Sequence, residues 1–177
     1  GEIEGAIIEE INYEGYGVAG VAVLVETQTD NRNRTTSDVR HLFSKFGGNL
    51  GANGCVSYLF EQKGSIILDA QRIDMETAMD AAIEAGAEDV EDDGENIIVT
   101  TGFTDYPSVL QTMQDGELPI ESSEIIQVPS TVIELTGKEA ETCMKMVMAI
   151  DDLDDVSRVS ANFDISDEEM AAIQENL

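Results

Sequence analysis

The chain has 177 residues, with nine Lys and Arg against 37 Asp and Glu and a formal net charge of −28. At about 150 residues per domain this allows one domain or two small ones, long enough to bury a core without staples, and the 42% hydrophobic fraction is globular, not disordered. The charge excludes a general phosphate-coating surface, no apolar run approaches the ~18 residues of a membrane span, and Cys55 and Cys143 make neither a disulfide framework nor a CxxC zinc site.

In chain order, residues 6–13 read as a strand entering the Gly15–Gly20 turn, and 19–26 as a β-branched strand buried on both faces. Asp30 and Asn31 offer an N-cap. Val39, Leu42, Phe43 and Phe46 then recur at helical spacing, predicting an amphipathic helix over 32–46 that Gly47 and Gly48 stop. Residues 55–60 and 65–68 are read as strands. Asp74 caps a helix with Met75, Ala78, Met79, Ala82 and Ile83 inward, ending near Gly86. Residues 87–91 and 96–101 flank Asp93-Gly94, a hairpin signal. Thr104 or Asp105 starts a helix with Pro107 in its first turn and Val109, Leu110 and Met113 inward. Strands follow at 123–128 and 131–135. Thr136 and Glu139 read as a capping box for a helix over 137–150, with Ala140, Cys143, Met144, Val147 and Met148 inward. A strand at 156–160 and a short helix behind a Ser166–Glu169 capping box close the chain.

The order from 64 to 128 is β-α-β-β-α-β, the outline of a ferredoxin-like sandwich. Strands 19–26, 55–60, 131–135 and 156–160 with helices 32–46 and 137–150 repeat that order. The expected fold is therefore α+β: two ferredoxin-like sandwich lobes, one inserted in the other. Residues 63–130 form the inserted lobe, and 1–62 plus 131–177 form the discontinuous one.

Catalytic and ligand motifs are weak. Gly15-Tyr16-Gly17-Val18-Ala19-Gly20 matches GxGxxG, but a strand follows where a dinucleotide site needs a helix N-terminus, so it reads as a turn. Asp89, Glu91, Asp93 and Gly94 resemble the start of a calcium loop, but its twelfth position is Thr100, and a hairpin turn fits better. Asp151, Asp152, Asp154 and Asp155 read as a solvated turn. His41 is the sole His and has no nucleophile beside it. Cys143 reads as a small core residue, and Cys55 has no placed basic partner. No enzyme, cofactor or metal centre is expected.

One basic island stands out. Arg32, Arg34, Arg40 and Lys45 lie within 31–48, which holds a single acid, Asp38. Arg32 and Arg34 sit near a helix start, where positive charge opposes the dipole and so suggests another use. The glycines of the tip that follows, Gly47-Gly48-Asn49-Leu50-Gly51-Ala52-Asn53-Gly54, let backbone approach a ligand closely, although plain turn chemistry also explains them. A solvated helix face is the competing reading of the charges.

At these residues the chain resembles the YebC family. The likeness rests on Tyr13-Glu14-Gly15-Tyr16-Gly17, Gly20-Val21-Ala22, the run Thr29 to Thr35, Val39-Arg40, Phe43, Lys45, Gly47 to Gly51, Gly54 and Phe60, with Asp155-Val156 and Asn162-Phe163-Asp164 near the end. Val18-Ala19 replace a Pro-Gly pair usual in that family, and Cys55 replaces a Ser. The resemblance implies a non-catalytic, nucleic-acid-associated regulator of gene expression in the cytoplasm. Family members are described as transcriptional regulators, and mitochondrial relatives activate translation, which implies a ribosome-associated factor as the alternative. A third expectation is a ligand-sensing or protein-interaction module, with the acidic inserted lobe meeting a basic partner. The family's basic N-terminal helical domain has no counterpart here, so a truncated chain that leaves most phosphate contact to that domain is expected. Arg32, Arg34, Arg40, His41, Lys45, Asn49 and Asn53 are the expected DNA or ribosomal RNA contacts on this chain. No membrane partner is expected.

Overall fold

The structure, a computed structural model, describes residues 7–175. Strand β1 (Glu9–Tyr16) pairs antiparallel with β2 (Ala22–Thr29) along its whole length, from Glu9 opposite Thr29 to Tyr16 opposite Ala22. The strand expected at 6–13 thus starts later and runs farther, and residue 6 lies outside the described residues. A single 3-10 turn at Val18–Gly20 joins the two strands and closes the GxGxxG match into a hairpin connection. Ala19 takes φ 60° there, a left-handed conformation that costs a residue with a Cβ about 1 kcal/mol and a glycine almost nothing.

Helix α1 (Arg32–Lys45) starts at Asn31, whose side chain accepts the Arg34 N–H. It buries Thr35, Val39 and Phe43, with Leu42 and Phe46 packed at the rim of the core. Gly47, at φ 80°, turns the chain into β3 (Asn49–Leu50), which pairs with the far edge of β1. The strand expected at 55–60 does not form. Residues 57–59 make a 3-10 turn instead, and the next strand begins at Phe60. The reason lies in β1. Its Glu14 carboxylate takes the N–H groups of Gly54, Val56 and Ser57, which a sheet ladder would otherwise need.

The chain then builds β4 (Phe60–Asp69), α2 (Met75–Ala85), β5 (Asp89–Asp92), β6 (Asn96–Gly102), α3 (Tyr106–Asp115) and β7 (Ile120–Pro129). The sheet order is β5-β6-β4-β7, with β6 antiparallel to both β4 and β5. Asp93 and Gly94 form the β5–β6 turn, where Asp93 Oδ1 accepts the N–H groups of Glu95 and Asn96. Ile66, Leu68, Ile97 and Val99 from the sheet meet Ala78 and Ala82 of α2 and Val109 and Met113 of α3. Met79 and Ile83, expected inward, stand 37% and 60% exposed. Ala78 and Ala82, with Met75 and Ala85 at the rim, make the helix–sheet contact and leave those two larger side chains on the outer flank.

The last elements are β8 (Ile133–Glu134), α4 (Gly137–Asp151), β9 (Val156–Ala161), β10 (Phe163–Asp164) and α5 (Asp167–Gln174). β9 adds to β2, giving the order β3-β1-β2-β9, while β8 and β10 pair parallel in a separate ribbon. The slot beside β2 that a sandwich of this order fills is thus occupied by β1, from the N-terminal side of β2. Tyr13, Val21, Val23, Val25, Val39, Phe43, Cys143, Met146 and Ile150 form the core between this sheet and the helices α1 and α4. The inward face of α4 keeps Ala140 and Cys143 as expected but is otherwise turned: Met146 and Ile150 are buried, whereas Met148 is 52% exposed.

The described chain divides into two compact units. One is built from the chain up to Phe60 and from Pro129 onward, the other from Glu61–Val128. The fold is α+β, with five helices and two antiparallel four-stranded sheets.

Candidate functional site

The exposed side of α1 carries most of the expected contacts, and its two flanks differ. On one flank Arg34 turns back onto its own protein. Its Nη2 and Nε donate to the two oxygens of Asp155 at 3.0 and 3.3 Å, and Nη2 also reaches Asp30 Oδ1 at 3.0 Å. The buried Thr35 hydroxyl donates to Asp155 Oδ2 at 2.7 Å and shares another bond of 2.7 Å with Thr29 Oγ1. The Thr35 hydroxyl, joined by Arg34, holds the Asp155 carboxyl below its ordinary range despite partial burial. The helix-start charge thus has a structural partner: Arg34 ties α1 to the turn before β9. The groove there is acidic, lined by Asp30, Asp38, Asp152, Asp154 and Asp155.

The other flank is different. Arg32, Asn33, Thr36, Ser37, Arg40 and His41 line one shallow groove along the helix, and no carboxylate lines it. The spacing 32–36–40 and 33–37–41 puts these side chains on adjacent i, i+4 rows. Arg40 and His41 are exposed, and Arg40 makes no ion pair among the described residues. Arg32 meets Glu9 Oε2 at 3.2 Å, with the two side chains 63% and 49% exposed. A pair so wet is worth little and exchanges readily. Lys45 lies in the last turn, where its charge suits the dipole, with Nζ 5.5 Å from the Phe46 ring centre.

Arg32 also reaches a second shallow groove, shared with Glu10, Ile11, Asn12, Glu14 and Asn53. Here Glu14 is the organiser. Its side chain is buried, yet its oxygens accept Gly54 N at 2.7 Å, Val56 N at 3.0 Å and Ser57 N at 2.6 Å. Burial pushes its carboxyl up, but the three backbone donors together outweigh it, so the group sits below its ordinary 4.5. Tyr16 adds a hydroxyl bond to the Cys55 carbonyl at 3.1 Å. The tip glycines serve the protein's own packing: a Cβ on Gly15 would lie 2.5 Å from Asn49 O, one on Gly51 2.8 Å from Cys55 Sγ, and one on Gly48 would strike Tyr16 O.

Arg32, Arg40 and His41 are thus brought together in one groove, and Arg32 and Asn53 in another. Asn49 is exposed on β3 and, like Lys45, lines neither groove. Arg34 lies on the acidic side. The sequence reading passed over Asn33, Thr36 and Ser37, for which the i, i+4 spacing was the available signal. It also passed over Tyr58, which the 3-10 turn leaves 73% exposed.

The thiols are not activated. Burial, then the Glu14 charge, raises Cys55, and burial pushes Cys143 up to about 11. Among the described residues no three His, Cys, Asp or Glu side chains converge on a metal-sized site, and no helix is long and apolar enough to cross a membrane.

Comparison with known proteins gives one consistent result. The family model described as "TACO1/YebC second and third domain" matches residues 8–163. A "probable transcriptional regulatory protein" of Geotalea uraniireducens is 48% identical over 170 residues, covering 96% of this chain and 68% of that protein. A protein of the same description from Geobacter sulfurreducens is 49% identical with the same coverage. The crystal structure of a conserved hypothetical protein from Aquifex aeolicus superposes with a TM-score of 0.86 at 46% identity, covering 94% of this chain and 69% of that one.

Proposed function

The chain belongs to the TACO1/YebC family, and from that premise we propose that it is a regulator of gene expression that works by binding nucleic acid, not by catalysis. The observation that supports this is the groove of Arg32, Asn33, Thr36, Ser37, Arg40 and His41 on α1. On a body of net charge −28, a groove with no carboxylate in its lining, two guanidinium groups (one held only by the wet Glu9 pair) and a row of short polar side chains is where a phosphate backbone meets least repulsion. Relatives named as transcriptional regulators support the same reading.

The test is a titration of this chain against labelled RNA and DNA at low salt. The double variant Arg32→Glu/Arg40→Glu is expected to weaken binding at least tenfold, and Arg34→Lys much less. Unchanged affinity in the double variant would remove α1 from the contact. A ribosome-associated translation role is the second reading, and the fixed, glycine-rich tip at 47–57 favours it, because a rigid loop reaches into the irregular surface of folded RNA. Sedimentation of the chain with ribosomal particles that survives DNase favours this second reading. Association abolished by DNase favours transcription.

A further inference from the structure

We propose that the tip of the first unit is a binding site for an unpaired nucleotide, with Tyr58 as the platform on which the base stacks. The inference rests on the nucleic-acid reading above and names the substrate class of that surface: single-stranded nucleic acid.

Tyr58 is 73% exposed, while the backbone on both sides of it is clamped. On one side Ser57 N–H donates to Glu14 Oε1 at 2.6 Å, and Val56 is fully buried. On the other the Leu59 carbonyl accepts the Ser130 N–H at 2.8 Å and the Ser130 hydroxyl at 3.2 Å. An aromatic side chain on a fixed backbone has two rotatable bonds left to order, so stacking on it costs little entropy.

The neighbours complete the chemistry. Glu14 holds the Gly54 N–H through one oxygen and the Ser57 N–H through the other, so one carboxylate fixes the backbone next to both Asn53 and Tyr58. Asn53 shares a groove with Arg32 and Glu14. An amide can read a base edge, a guanidinium can meet the phosphate, and the ring offers a face to any base. Glu10 lines that groove too, and Glu9 pairs with Arg32, so the phosphate contact is weak and stacking carries more of the affinity. A duplex buries its base faces in its own stack and cannot use such a platform.

The test titrates this chain at about 50 mM salt with a short single-stranded RNA and with the same strand locked in a hairpin stem. The expected result is preference for the single strand, a loss of at least about fivefold with Tyr58→Ala, and wild-type affinity within about twofold with Tyr58→Phe. An exposed ring leaves the fold intact on truncation, which a thermal melt checks. A parallel titration with the 2′-deoxy strand tells an RNA from a DNA partner, and stacking on either supports the platform. If Tyr58→Ala binds like wild type while Arg32→Glu/Arg40→Glu does not, the platform falls and the helix surface stands. If neither single strand nor duplex binds, both fall.

Discussion

Glu14 shows how one side chain can fix a surface. A carboxylate accepts and never donates, and here it meets three backbone N–H groups that have no strand to pair with. Glu14→Gln replaces one oxygen by an amide that can only face those donors with another donor. The expected cost is about 2 kcal/mol in thermal or urea unfolding, with faster hydrogen exchange at Gly54, Val56 and Ser57 and little change elsewhere. The pH dependence has a definite sign. Folding lowers this carboxyl from its ordinary 4.5, so its contribution is full above that value and is lost as pH falls through the folded value. Asp155, also lowered, acts in the same direction. Acid unfolding of wild type should therefore steepen below about pH 4.5, and the Gln variant should lose part of that slope. Equal slopes in the two proteins would mean that Glu14 does not hold the loop in solution.

At the scale of elements, local signals placed the helices well and erred where a distant group took over a local task. Thr136 and Glu139 have the spacing of a capping box, yet the Thr136 side chain caps nothing. The Gly137 N–H instead donates to Glu169 Oε2 from the first turn of α5, at 3.1 Å. Ser166 does cap α5 by accepting the Glu169 N–H, so its box is half made and half lent to another helix. Thr136→Ala should therefore change stability by a few tenths of a kcal/mol, whereas Glu169→Ala should cost about 1 kcal/mol. The reverse order in urea melts would restore the local cap. The missing strand at 55–60 has the same origin: its residues have β-forming side chains, but Glu14, 42 and 43 residues away in sequence, holds the N–H groups of Val56 and Ser57. Arg34 is a third case. Its place at a helix start looked functional because Asp155 lies 121 residues away. For Arg32 and Arg40, helical spacing alone gives the placement on the outer face of α1.

At the scale of the whole chain, charge sets two opposing salt responses. Of the nine basic residues, Arg34, Lys63, Lys145 and Arg158 face carboxylates through ion pairs, Arg32 and Lys138 do so through wet ones, and Arg72 lies in the second unit. Arg40 and Lys45 join Arg32 as the cations α1 can offer a phosphate. Three such contacts limit counterion release, so log K against log salt should fall with a slope no steeper than about −2 on a single strand. The fold should respond in the opposite sense. A net charge of −28 repels itself, and screening relieves that strain, so the melting temperature should rise as salt goes from about 50 to 300 mM while binding weakens. One salt series read by melting and by anisotropy measures both. A binding slope of about −4 or steeper would require more cations than this surface holds and would move the nucleic-acid contact off α1. A melting temperature that falls with salt would show that the ion pairs, and not the excess of carboxylates, dominate the electrostatics of the folded chain.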